Sequence, residues 1–193
     1  AGSNKILSAK GSFGLNSGET GVGLIVIFSP AMIVSLRLDP GSVLFSGACQ
    51  QGEVHGFRVA RGGELPTQKN QFILTLKHEQ AGDLSIPAGD GRIAGTISQN
   101  GTISMLGQLS DGKAIKITPQ LSATGEVILW VKPYTNKNSW FGGILSLRDS
   151  GLVRLNTTES LGSGLWWSRG YDAKEPFYQN GFGPIQVSAV ISH

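Results

Sequence analysis

Apolar and polar positions along this chain change phase with the two-residue period of β-strands, and a 3.6-residue helical period is hard to find. Val22–Phe28 is a continuous apolar run with β-branched members, and Met32–Leu38 alternates toward its end. The Ser29-Pro30-Ala31 break between them reads as a hairpin. Strand-like segments follow at Ser42–Ala48, Glu53–Ala60 and Gln71–Lys77, where Phe72, Leu74 and Leu76 fall on one face.

The middle is the most regular part. Arg92–Ser98, Thr102–Gln108, Lys113–Leu121 and Glu126–Lys132 are separated by Asn100-Gly101, Asp111-Gly112 and Thr124-Gly125. Asn-Gly and Asp-Gly suit tight hairpins with positive φ at both central residues, so two-residue turns are expected at the first two sites and a slightly longer one at the third. Three consecutive hairpins would make an antiparallel meander. Beyond it, Asn138–Leu147 reads as a strand with a Gly142-Gly143 bulge, Gly164–Arg169 as a short strand, and Ile185–Ile191 as a closing strand. Residues 170–184 form a loop rich in glycine and aromatics.

A faint internal repeat accompanies this pattern. Leu38-Asp39-Pro40-Gly41 aligns with Leu109-Ser110-Asp111-Gly112, and Gly52-Glu53-Val54 with Gly125-Glu126-Val127. The expected organisation is a tag scar or linker over residues 1–10 and a single all-β domain over 11–193, with pseudo-repeat halves at 11–80 and 91–170. The fold class is all-β: an antiparallel barrel or sandwich of about twelve strands, built of two related halves.

Composition supports that class and narrows the partners. Of 193 residues, 28 are glycine and only 15% are charged, which fits many tight turns and close strand crossings. The net charge of +3 is scattered with no Lys/Arg run, so nucleic acid is not an expected partner. Cys49 is the only cysteine, which rules out an internal disulfide. No apolar stretch reaches the roughly 18 residues of a spanning helix, and no membrane span is expected.

Gly95–Lys132 follows the pattern G-T-I-x-x-x-G-T-I-x-x-x-G-x-L-x-D-G, then an apolar strand, and Leu129–Tyr134 follows with L-W-V-K-P-Y. With Gly11-Ser12-Phe13, Gly143-Ile144-Leu145, Leu165–Arg169 and Tyr178–Phe182, this resembles a glycine-rich β module of large secreted and surface-anchored proteins of environmental bacteria. The resemblance covers nearly the whole chain except Arg61–Asn70. It implies a secreted or cell-surface location, neighbouring domains of a parent protein as partners, and no catalytic or binding residues. Its apolar-Trp-basic strand also implies that Trp167 faces inward beside Leu165, with Trp166 facing away.

The residues themselves nominate little chemistry. The histidines His55, His78 and His193 stand without a G-x-S-x-G elbow, and His55 shares a strand face only with Glu53. Cys49 beside Gln50 and Gln51 cannot close a thioester from adjacent positions. Asp83 and Asp90 lack EF-hand spacing, and no acid pair stands out for glycoside cleavage. No enzyme activity, metal or cofactor is therefore expected. Trp166, Trp167, Tyr171, Phe177, Tyr178 and Phe182 crowd together with Trp130, Tyr134 and Trp140 before them, and their faces can stack on sugars while polar neighbours bond hydroxyls, although large rings equally fill a core. The expected function is a non-catalytic structural or adhesive module. The alternative is a carbohydrate-binding module that uses Trp166, Tyr171 and Tyr178 with Arg169 and Asp172 to hold a polysaccharide.

Overall fold

The computed structural model describes residues 21–27, 32–38, 41–49, 52–78, 85–136, 138–153, 155, 157–174 and 177–192. The expected start at 1–10, the Ser29-Pro30-Ala31 turn, Gln50, Gln51 and Asp83 lie outside them. The described chain is all-β, with twelve strands and two short 3-10 turns. Strands β1 (Gly21–Ile27), β2 (Met32–Leu38), β3 (Leu44–Cys49) and β4 (Gly52–Phe57) form one antiparallel sheet in sequence order. The other eight are β5 (Asn70–Lys77), β6 (Gly91–Ile97), β7 (Ile103–Gln108), β8 (Ala114–Ile117), β9 (Glu126–Val131), β10 (Trp140–Ser146), β11 (Gly164–Arg169) and β12 (Phe182–Ser192). They make one antiparallel sheet ordered β8-β7-β6-β5-β12-β11-β10-β9, coiled into a nearly closed barrel.

This sheet is two four-stranded meanders, β5–β8 and β9–β12, joined where β12 pairs with β5. Alternation selects the inward face of every strand. Leu74, Ile93, Met105, Ile115, Leu129, Phe141, Trp167 and Ile185 all enter one buried cluster. On β5–β7 the outward positions include Gln71, Thr75, Lys77, Arg92 and Ser104. Ile73, Ala94 and Leu106 lie among them, so the outward face is mixed.

The hairpins fall where the sequence puts them, but their geometry differs. Each loop has three residues. Ser98, Leu109 and Ser122 close the turns against Thr102, Lys113 and Glu126, with N–H to O distances of 2.9, 2.9 and 3.0 Å. Positive φ is confined to Gly101, Gly112 and Gly125, at 78°, 82° and 76°. This is a type I turn followed by a left-handed glycine, rather than a type I′ turn. Asn100 and Asp111 explain the choice. Their side-chain oxygens accept the N–H of Thr102 and Lys113, each at 3.0 Å, a local bond that favours right-handed backbone at the Asx residue.

Two further expectations are corrected. The third hairpin does not extend the meander, because β8 and β9 part beyond their turn and become the two edges of the sheet. Arg58–Ala60 occupies the edge beside residues 121–123 instead. Ala60 N–H donates to Leu121 O and Ala123 N–H to Arg58 O, both at 2.9 Å. Gly142-Gly143 is not a bulge either, since β10 keeps continuous register with both neighbours. Its glycines answer close approach. A Cβ at Gly142 would stand 2.6 Å from Leu129 O, and one at Gly143 would stand 2.0 Å from Gly164 O. The register shift lies in β11, between Trp167 and Arg169.

Loop 148–161 holds the small sheet to the barrel. Glu159 accepts from Ser42 Oγ and Val43 N–H, both at 2.8 Å. Arg148 Nη1 donates to the carbonyls of Thr124 at 2.7 Å and Glu159 at 2.6 Å. The wholly buried Glu126 carboxylate accepts from Thr124 Oγ1, Ser160 Oγ and Leu161 N–H.

Candidate functional site

Strand β11 separates its two tryptophans as alternation demands. Trp167 is 2% exposed beside buried Leu165, while Trp166 is 41% exposed on the outer face. Register places Gly142 between Trp166 on β11 and Trp130 on β9, which is 37% exposed. Trp140, next to Gly142 but one along β10, stacks on Trp130 with centroids 5.0 Å apart and planes 17° apart.

The glycines shape this surface. A Cβ at Gly142 would come within 2.8 Å of Cε3 of Trp130, so that ring lies over bare backbone. Nε1 of Trp166 lies 3.7 Å from the corresponding point at Gly164. Ile128 and Ile144 continue the apolar surface on the next row. Gln186 faces Trp166 across β12 and is exposed. A contiguous exposed apolar patch of this kind marks a contact surface.

The other residues nominated from sequence sit elsewhere. Arg169 is 4% exposed and turned inward, where its Nη1 bonds Asp111 Oδ2 at 3.0 Å; the Asp111 side chain is 3% exposed. Tyr134 Oη donates to the same Asp111 oxygen. The Arg169 guanidinium lies 4.9 Å from the Tyr134 ring centroid and 5.6 Å from that of Tyr178. Burial first, then the Asp111 carboxylate, pushes the Tyr134 phenol well above its usual range. Tyr178 has φ 56°, and its ring meets Phe182 edge-on at 6.5 Å. Asp172 Oδ1 accepts Lys174 N–H at 3.1 Å within the loop, and Tyr171 and Phe177 are exposed there. The structure thus unites Arg169 with Tyr178 in the barrel mouth and leaves Trp166 on the opposite face of β11. Trp130 and Trp140, which share that outer face with Trp166, precede the aromatics nominated from sequence. The signal for them is the meander itself, which stacks β9, β10 and β11 in order.

His55 Nε2 and Glu53 Oε2 are 3.2 Å apart on the exposed face of β4. No group of three or more metal-ligating side chains occurs among the described residues. No described helix is long and apolar enough to cross a membrane. No family model, curated protein or solved structure matches the chain.

Proposed function

We propose that this domain is a non-catalytic adhesive module of a larger secreted or cell-surface protein, and that it works by holding a polysaccharide on the outer face of β9–β11. The observation that carries this reading is the pair of exposed rings, Trp130 and Trp166, lying on either side of Gly142 with Trp140 stacked alongside. A purely structural module would bury such rings, since each can remove about 150–250 Å² from water. Phe141, Trp167 and Tyr134 are used that way in the same barrel. The secreted setting and neighbouring domains as further partners rest on the glycine-rich β pattern. A duplication relating β1–β4 to β6–β9 is part of the same reading. It is supported by left-handed glycines at matching places, Gly41 at 85° and Gly112 at 82°, ahead of β3 and β8.

The test is a glycan array probed with the wild-type domain and with Trp166→Ala. Binding should fall at least about tenfold in the variant, the loss of a central aromatic contact, while its melting temperature stays close to wild type. An array with no bound glycan, or binding indifferent to both Trp166→Ala and Trp130→Ala, would overturn the proposal.

A further inference from the structure

Three features of the tryptophan face narrow what can lie on it. The face carries two exposed rings, Trp130 and Trp166, set in line across β9, β10 and β11 on either side of Gly142. Its centre is uncharged: the outward positions of β10 and β11 and the facing Gln186 and Ser188 of β12 carry no ionisable group. Lys132 follows β9 at one end, and Lys77 stands on β5 beyond Ser188 at the other, so cations reach only the margins. At the edge of the rings stands one primary amide, Gln186, able to donate and accept.

These features discriminate among glycans by elementary chemistry. An extended ribbon of β-1,4-linked hexoses holds its hydroxyls equatorial, so its broad faces present axial C–H bonds and its edges present hydroxyls. The faces suit a line of aromatic rings, and the edges suit an amide beside it. A helical α-linked glucan curves, so its successive residues turn their faces away from one line of rings. An acidic glycan would gain from cations under its chain, and here they stand outside the rings. Resting on the carbohydrate reading above, we infer that the β9–β11 face takes uncharged β-1,4-linked glycan ribbons of the cellulose or chitin type, stacked on Trp130 and Trp166 and edge-bonded by Gln186.

The experiment compares retention of the whole domain on insoluble cellulose, chitin and granular starch, and on gels carrying polygalacturonate, at low and high salt. Retention on cellulose or chitin should exceed that on starch and should not change with salt, because no ion pair is screened. Trp166→Ala should cut it at least about tenfold, and Gln186→Ala about three- to tenfold, as for one lost hydrogen bond. Gln186 is exposed and Trp166 partly so, so each variant should stay folded at the assay temperature, and a melting scan checks that before binding is read. Preference for starch, or salt-sensitive binding to polygalacturonate, would overturn this inference while sparing the polysaccharide reading. Failure to bind any of the four, or binding untouched by Trp166→Ala and Trp130→Ala, would overturn both.

Discussion

Replacing Asp111 by Asn tests the seam of the barrel, where β8 and β9 run as the two edges of the sheet without a ladder between them. One end of the seam is tied by the Ser122–Glu126 turn and by Arg58–Ala60. The other end is tied by Asp111, which leaves the β7–β8 turn to reach Arg169 on β11 and Tyr134 just after β9. Asn keeps a side-chain oxygen for Lys113 N–H, so the turn survives and only the charge is lost. The Arg169 cation then stays buried but loses the Asp111 carboxylate, which costs about 3–5 kcal/mol. For a chain of this length that is a fall in melting temperature of about 6–20 °C. Urea unfolding followed by tryptophan fluorescence should give the free energy. Hydrogen exchange should show β8 and β9 losing protection before β5 and β6. Adding Arg169→Met removes the buried charge and should recover most of the loss. A melting shift below about 2 °C in Asp111→Asn, or a double variant as unstable as the sum of the singles, would refute the account.

Trp167→Ala should cost about 3–5 kcal/mol in urea unfolding, whereas Trp166→Ala should cost less than half of that; equal losses would contradict the inward and outward assignment. Gly143→Ala, at φ 135° with a Cβ driven against the Gly164 carbonyl, should cost at least about 3 kcal/mol, against about 1 kcal/mol for Gly112→Ala, where the space is open. Glu159 is held below its ordinary value of 4.5 by Val43 N–H and then Ser42, and Glu64 is likewise lowered by Arg58. A depressed folded pKa gives stability that is complete well above pH 4.5 and lost as pH falls through the lower folded value. An acid titration of stability should therefore decline below about pH 4.5, and the part due to Glu159 should vanish in Glu159→Gln. Tyr134 has the opposite sign, so its contribution is intact below about pH 10 and fades above it.

Local pattern carried much of the fold. Phe72, Leu74 and Leu76 share the buried face of β5, Met32–Leu38 and Gly164–Arg169 are strands at the stated bounds, and the three central turns lie at their glycines. Turn type was less legible, because Asn100-Gly101 suits two geometries and the side-chain bond to Thr102 N–H decides between them. The seam was not legible at all. Alternation says which way Asp111 and Arg169 can face, but not that the chain brings together two residues 58 positions apart. The parting of β8 and β9 depends on Arg58–Ala60 arriving from another sheet. The aromatic face was half legible. Adjacency on a strand separated Trp166 from Trp167, yet reading the last third as one cluster joined Trp166 to Arg169, three positions away and of opposite parity. It also left Trp130 out of the binding set, because only the β9–β10–β11 register brings that ring to the same face as Trp166.

Strand β12 is the last of the twelve in sequence yet lies in the middle of the eight-stranded sheet, between β5 and β11. During synthesis, every other barrel strand has left the ribosome before the one that joins the two meanders. Until it arrives, β5 and β11 each present a bare edge of unpaired backbone groups, the arrangement most open to pairing with another chain. A nascent chain halted before Phe182 is therefore two open ribbons and not a shortened barrel. The final strand acts as a keystone, making completion of the domain a single late event that separates an unfinished, adhesive chain from a finished one.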